Sequence, residues 1–169
     1  MNISRSGLIA ALIALAAGIA AAHSQSLGSF TQKQQAANRD AVIFLFPEQV
    51  TVPARKPAQV ELHFRVAQGL HINSHTPADD FLIPTTFAIP ANAQVELKGA
   101  TYPAGTITAL PIDPNTRLSV YTGEFVIRAR IVAAAGNHLV QGQLHYQACD
   151  NNECMPPRTI PVAIDVIGR

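Results

Sequence analysis

The residues of this sequence best suited to chemistry are its two cysteines, Cys149 and Cys154. They lie in the stretch HYQACDNNECMPPRTIPVAIDV, where four residues separate them and Met155 and two prolines follow at once. Two thiols this close can form a disulfide. Such a bond either crosslinks a fold or is opened and remade by exchange with the thiols of other proteins.

As a crosslink, this disulfide would contribute little. The chain-entropy relation gives roughly 2 kcal/mol for a closed loop of about six residues, against nearly 5 kcal/mol for about a hundred residues. Most cysteine pairs in exported domains are nevertheless structural. Composition therefore favours a structural bond and the short spacing favours a reactive one, so both interpretations stay open at this point.

The residues between the cysteines include two acids, Asp150 and Glu153. Their negative charge disfavours the thiolate form of either cysteine. A thiol of this kind reacts slowly with random disulfides but still exchanges when a docked partner supplies the geometry. Asp and Asn are also preferred turn residues, and a purely structural turn explains the same acids equally well.

The two prolines, Pro156 and Pro157, fix the backbone directly after the second cysteine. We expect them to stiffen one wall of the cysteine site, or simply to lead rigidly into the next strand. Because they lie behind Cys154, we expect Cys149 to be the more accessible sulfur and the one that attacks.

The rest of the sequence predicts an all-β protein. Apolar residues recur at every second position in four segments, which is typical of strands with one buried face. Prolines and glycines separate short strands, which favours a single-domain antiparallel β-sandwich of two sheets. Pro161 predicts an edge position in the last strand, and Pro77 with Asn73-Ser74 predicts a loop from His71 to His75. The alternating apolar residues are Val60, Leu62, Phe64 and Val66; Phe125, Ile127, Ala129 and Ile131; Val140, Gly142, Leu144 and Tyr146; and Ile160, Val162, Ile164 and Val166.

The N-terminus predicts export. Residues 1–22 have the order of a signal peptide, with one basic residue, an apolar run and small residues before the cleavage point. Residues 23–40 are polar and predict a flexible tether, and the folded domain is expected over residues 41–169. An oxidising compartment such as the periplasm lets one cysteine pair form and persist.

Removal of the signal peptide takes away Arg5 and leaves 11 Lys and Arg against 11 Asp and Glu, so the mature chain is formally neutral. A sparsely charged surface lacks the electrostatic footprint of a nucleic-acid or anionic-membrane binder. We therefore expect proteins or small molecules as partners, no nucleic acid, and a monomer.

Two stretches resemble a known family. GLHINSHTPADDFLIPT (residues 69–85) and YQACDNNECMPPRTIPVAI (residues 146–164) are similar to the N-terminal periplasmic domain of the thiol:disulfide interchange protein DsbD. The resemblance implies an immunoglobulin-like sandwich in which Cys149 and Cys154 are the redox pair. It implies that His71 and Asn73 occupy positions where the best-known relatives place tyrosines beside the cysteines. Tyr146, Asp150, Glu153 and Pro156 complete the expected site.

The resemblance also implies partners. Such domains take electrons from a membrane-embedded or thioredoxin-like partner and pass them to exported disulfide-bearing acceptors, a role linked to cytochrome c biogenesis. For this chain we expect the donor to be a separate membrane protein of the DsbD type or a thioredoxin-like protein. No cofactor is expected. The best-known relatives shield the disulfide with an aromatic-bearing cap loop. Its expected equivalent here, residues 102–121, has no aromatic residue between its terminal tyrosines, which leaves Leu110, Ile112 or no shield at all.

Two other classes of function remain open. One is an exported binding or folding-helper sandwich with an inert disulfide. The other is a copper(I) protein that uses Cys149, Cys154 and Met155 as soft ligands. A zinc site is disfavoured, because Cys-x4-Cys is a loose spacing and no second cysteine pair completes four ligands.

Overall fold

The computed structural model describes residues 40–45, 49–91, 94–109 and 115–169. Contacts divide the chain into two units, Met1–Arg39 and Asp40–Arg169, and every described residue belongs to the second. The predicted signal peptide and nearly all of the predicted tether lie outside the described residues. Within the described ranges no helix is long and apolar enough to cross a membrane.

The described part of the chain folds into twelve β-strands. Two short strands precede the first long one, and the cysteines lie between the last two long strands. The strands are β1 (Val42–Leu45), β2 (Val50–Val52), β3 (Pro57–Val66), β4 (His71–Asn73), β5 (Thr86–Ala88), β6 (Val95–Thr101), β7 (Thr106–Ala109), β8 (Arg117–Tyr121), β9 (Glu124–Ala133), β10 (Gly136–Tyr146), β11 (Ala148–Cys149) and β12 (Arg158–Gly168).

These strands form three four-stranded sheets. The first sheet has the order β1-β3-β9-β6, the second β2-β12-β10-β5 and the third β11-β4-β8-β7. All pairings are antiparallel except that of β12 with β2. The predicted all-β antiparallel fold is confirmed. The sequence predicted two sheets, whereas the described residues form three.

Alternation along the long strands builds the core. The predicted inward positions of β3, β9, β10 and β12 are buried, with Ile160 half-buried. Aromatic rings add to the apolar burial of the first sheet: Phe64 lies 5.3 Å from Phe44 and 5.2 Å from Phe125, measured between ring centroids. Tilted and stacked ring pairs at such distances stabilise a core beyond the apolar area that they bury.

The loop predicted from His71 to His75 is wrong for its first three residues, which belong to the third sheet. Residues 71–73 form β4, which pairs with β8 through Ile72 and Asn73. Ile72 is fully buried in the core, so a strand three residues long is held by one apolar anchor and its neighbours. The loop begins only after Ser74, whose N–H donates to the carbonyl of Ser119 at 2.8 Å and whose hydroxyl lies 2.8 Å from the Ser119 hydroxyl.

The second sheet ends where the cysteine segment begins. The ladder between β10 and β12 runs from Gly136↔Gly168 to Tyr146↔Arg158. Pro161 lies within it and is exposed, and β2 pairs with β12 only from Val166 to Gly168. Among the described residues, β12 therefore has a single neighbouring strand at Pro161, the edge position that its missing N–H requires.

A pair of leucines on β10 tests this core. Leu144 is fully buried, whereas Leu139 on the same strand is 70% exposed. We expect Leu144→Ala to lower the free energy of unfolding by about 2–5 kcal/mol, because it leaves a cavity in a close-packed interior. Leu139→Ala should change it by about 0.5 kcal/mol or less. Urea denaturation of both variants measures the difference, and equal losses would contradict this assignment of the core.

Candidate functional site

Cys149 and Cys154 face each other across a small antiparallel hairpin and form a disulfide with an S–S distance of 2.01 Å. The N–H of Met155 donates to the carbonyl of Ala148 at 2.8 Å on one side of the pair. On the other side of the pair, the N–H of Asp150 donates a hydrogen bond to the carbonyl of Glu153. Bonds that bracket a pair in this way define a non-hydrogen-bonded position, where facing strands approach most closely. The Cα atoms are 4.0 Å apart, so the backbone itself holds the cysteines together.

Asp150 shapes the turn between the cysteines. Its N–H donates to the carbonyl of Glu153 at 3.0 Å. Its carboxylate accepts hydrogen bonds from the backbone N–H of Asn152 at 2.7 Å and of Glu153 at 2.8 Å. An acidic side chain that closes its own turn is a well-known use of Asp. The turn interpretation of Asp150 therefore has direct structural support, and Glu153 lies exposed on the same turn.

The two cysteines differ sharply in burial, in the opposite sense to the expectation from the prolines. Cys149 is only 2% exposed, whereas Cys154 is exposed. Cys149 belongs to β11 and pairs with His71 of β4, so the third sheet covers it. Pro156 and its neighbouring proline lack the N–H groups needed to continue a ladder. The chain leaves the sheet there and exposes the second cysteine instead of hiding it.

The structure brings His71 and Asn73 onto the cysteine face of the third sheet. His71 is the direct neighbour of Cys149 across β4 and β11. Two positions along β4, the N–H of Asn73 donates to the carbonyl of Gln147 at 3.4 Å, and its side-chain amide donates to the Gln147 side-chain oxygen at 3.4 Å. Residues two apart on a strand project from the same face. Both predicted residues therefore line the disulfide side of the sheet.

Gln147 is a site residue that sequence reasoning missed. Its side-chain N–H donates to the carbonyl of Met155 at 3.2 Å, and its oxygen accepts from Asn73. It thus ties the cysteine hairpin to β4. The sequence could have predicted this position, because side chains two residues apart on a strand project from the same face, and Gln147 lies two residues before Cys149.

Tyr146 is part of the core. By the same alternation, Tyr146 and Ala148 project from the face opposite Cys149, and both belong to the buried core cluster. Burial raises the pKa of the Tyr146 hydroxyl, which lies near the backbone of Val42 without a hydrogen bond of good geometry. The structure thus separates Tyr146 from the polar side chains around the cysteines.

His71 has an unusual environment. Its Nε2 atom is buried and has no hydrogen-bond partner within the described residues. Burial lowers the pKa of the imidazole, and the negative charge of Asp150 opposes that shift in part. Asn73 also has a buried atom without a hydrogen-bond partner in the described part of the chain, its side-chain oxygen Oδ1. Its side-chain N–H donates to the carbonyl of Ile83 at 3.0 Å.

An open groove of about 710 Å³ adjoins the site. Its lining includes His71 and Asn151, and Thr106 and Thr108 of β7. The residues proposed to shield the disulfide, Leu110 and Ile112, lie outside the described residues. Within those residues, no group of three or more His, Cys, Asp or Glu side chains could hold a metal ion.

Fold and site together define an all-β domain that carries one disulfide between a buried and an exposed cysteine. The family model of the thiol:disulfide interchange protein DsbD, N-terminal domain, matches residues 41–165, and the chain belongs to this family. The N-terminal domain of DsbD has an immunoglobulin-like fold, and the all-β antiparallel structure of this chain matches it, as expected from the sequence. Membership implies thiol–disulfide exchange.

Solved structures give two further similarities. The N-terminal domain of DsbD from Neisseria meningitidis, in its reduced form, is 19% identical with a TM-score of 0.46 over 68% of this chain and 82% of that chain. The N-terminal periplasmic domain of ScsB from Proteus mirabilis is 12% identical with a TM-score of 0.49, over 75% of this chain and 51% of that chain. The search of curated proteins gave no match.

The charge on Asp150 should control the imidazole opposite the disulfide. Asp150→Asn keeps an oxygen for the turn hydrogen bonds but removes the charge that raises the His71 pKa. We expect the His71 pKa to fall further below its ordinary value, as measured by an NMR titration of the imidazole protons. Glu153→Gln, the same change on the same turn, serves as the control and should leave that pKa nearer to that of the unmodified protein. A His71 pKa that stays constant or rises in Asp150→Asn would contradict this electrostatic account.

Proposed function

We propose that this domain relays electrons in an exported compartment by opening and remaking the Cys149–Cys154 disulfide. The observation that carries the proposal is the asymmetry of the pair: Cys154 is exposed at the end of the hairpin, whereas Cys149 is buried in the third sheet. An incoming thiolate can reach one sulfur, and the other is held close by as the leaving group. Backbone hydrogen bonds lie on both sides of the pair, so we expect the hairpin to stay closed when the sulfurs are not joined.

The exchange runs in two displacements. A thiolate of the reduced donor attacks the Sγ of Cys154, and the S–S bond breaks with its electron pair leaving on Cys149. The donor's second thiolate then attacks the donor sulfur of this mixed disulfide and releases Cys154. The donor leaves oxidised, and two protons end on the domain. With an acceptor the steps reverse: Cys154 attacks the acceptor's disulfide, and Cys149 resolves the mixed disulfide by attacking Cys154.

Family membership and the sequence together support the proposed partners. The electron donor is a separate membrane protein of the DsbD type or a thioredoxin-like protein, and the acceptors are exported proteins that carry disulfides. The domain comprises residues 41–169, follows a tether at 23–40, and reaches the periplasm through a signal peptide at 1–22. It works as a monomer without nucleic acid or cofactor. A role in cytochrome c biogenesis stays a prediction.

The reduction potential of the pair separates a carrier from a crosslink. We expect a value near the thioredoxin range of about −270 mV, or higher, whereas structural disulfides typically fall below about −300 mV. Equilibration of the purified chain with oxidised and reduced dithiothreitol, followed by thiol quantification, gives the value. A potential well below about −300 mV would leave the disulfide as an inert crosslink in a binding or folding-helper sandwich.

Single-cysteine variants test which sulfur is attacked. Cys149→Ser leaves the exposed Cys154 and should form mixed disulfides readily with a thioredoxin that lacks its resolving cysteine and carries its remaining cysteine as a mixed disulfide with thionitrobenzoate, which is the leaving group of the exchange. Cys154→Ser leaves only the buried Cys149 and should trap about tenfold less in the same time, because the accessibility of a sulfur limits its exchange rate. Each variant is the control for the other, and non-reducing gels quantify the adducts. Equal trapping, or preferential trapping through Cys149, would contradict attack at Cys154.

A further inference from the structure

His71 is placed to act on Cys149 directly. The two residues are opposite each other in the ladder of β4 and β11, so their side chains leave the same face of the third sheet. Directly opposed residues of neighbouring antiparallel strands have Cα atoms about 4.5–5.5 Å apart. An imidazole on one strand therefore reaches the sulfur on the other without any rearrangement of the backbone.

The His71 ring lacks a hydrogen-bond partner that reduction of the disulfide can supply. Its Nε2 is buried and has no hydrogen-bond partner among the described residues. A buried polar nitrogen without a partner is unfavourable and rare in folded proteins. A disulfide sulfur is a poor partner for it, whereas a thiol can donate a hydrogen bond and a thiolate can accept a charge-assisted one. Reduction of the disulfide would therefore supply the partner that Nε2 lacks.

We propose that His71 takes part directly in the redox step, and that its Nε2 shares a proton with the Cys149 sulfur once the disulfide opens. The inference rests on the proposed function and deepens it. When the donor thiolate attacks Cys154, the electron pair of the S–S bond leaves on Cys149. One of the two protons given up by the donor dithiol is then held between that sulfur and Nε2. The second proton ends on Cys154.

The charged groups around the imidazole suit this role. Asp150, on the turn after β11, supplies a negative charge that favours the protonated ring. Across the groove, Arg65 and Glu124 form an ion pair at 2.6 Å and largely cancel each other. On β8, Tyr121 pairs with Ile72 and therefore projects from the opposite, core-facing side of the sheet. Because burial dominates and lowers the His71 pKa, the ring is neutral at neutral pH and ready to accept a proton when Cys149 becomes a thiolate.

The equilibrium test compares His71→Phe, His71→Gln and His138→Phe. His138 is a half-buried histidine near the opposite end of β10, with Nε2 3.1 Å from the carbonyl oxygen of Ala134, and is the matched control. In dithiothreitol redox buffers at pH 7, we expect His71→Phe to shift the equilibrium about tenfold toward the disulfide, which corresponds to a potential about 30 mV more negative. His71→Gln keeps an N–H donor and should shift it less. His138→Phe should match the unmodified protein.

The kinetic test distinguishes proton sharing from packing. The rate of disulfide reduction by dithiothreitol is measured from pH 5 to 8 and divided by the dithiothreitol thiolate concentration. In the unmodified protein and in His138→Phe this normalised rate should rise as the pH falls, because a protonated ring stabilises the leaving Cys149 thiolate. Both His71 variants should give a flat profile. Circular dichroism confirms that each variant is folded.

The outcomes separate this inference from the proposed function. If dithiothreitol reduces the disulfide but the His71 variants match the unmodified protein in equilibrium and pH profile, the role of His71 is wrong and the electron relay stands. If the disulfide of the unmodified protein resists dithiothreitol throughout, both proposals are overturned. A shifted equilibrium with an unchanged pH profile assigns His71 to packing alone and also overturns the inference.

Discussion

The site depends on the backbone pairing that holds Cys149 between two partners. On one side the hairpin sets it against Cys154, with hydrogen bonds on either side of the pair. On the other side the third sheet sets it against His71. The S–S bond joins residues that backbone hydrogen bonds also hold together, so we expect the strands to keep their register when the bond opens. A disulfide that closes a long loop would lack this property, because its loss would release the chain that it constrains.

The same pairing explains why the two sulfurs are unequal. Strand β11 ends at Cys149, inside a sheet, whereas Cys154 lies after the turn and just before the prolines. Sequence reasoning expected the prolines behind Cys154 to make that sulfur the less accessible one. In the structure they act through their missing N–H groups, which stop the ladder and leave the second cysteine at an edge. Whether a rigid residue covers or uncovers its neighbour depends on the next strand, and local sequence does not contain that information.

The long strands were predictable because their periodicity is local. Leu62, Ile127 and Leu144 each lie in a run of alternating apolar residues, and all three are fully buried. The short strands of the third sheet were not predictable in this way. His71–Asn73 is three residues long, too short to show a period, and becomes a strand only through pairing with β8 and β11, far away in the chain. The cysteines were therefore found from residue type and spacing, but Gln147 and the burial of Cys149 required the fold.

Unsatisfied polar groups cluster where the reaction is expected. Within the described residues, the buried side-chain atoms without a partner belong to His71, Asn73 and Tyr146. The first two lie on the face of the third sheet that carries the disulfide. A core made only for stability would place apolar side chains at these positions, because an unpaired buried nitrogen or oxygen is costly. A site that alternates between two covalent states cannot satisfy the same polar groups equally well in both. In the proposed role of His71, the unpartnered Nε2 is a cost of the disulfide state that reduction would relieve. This atom belongs to the residue that pairs with Cys149, the sulfur that carries the charge when the bond breaks.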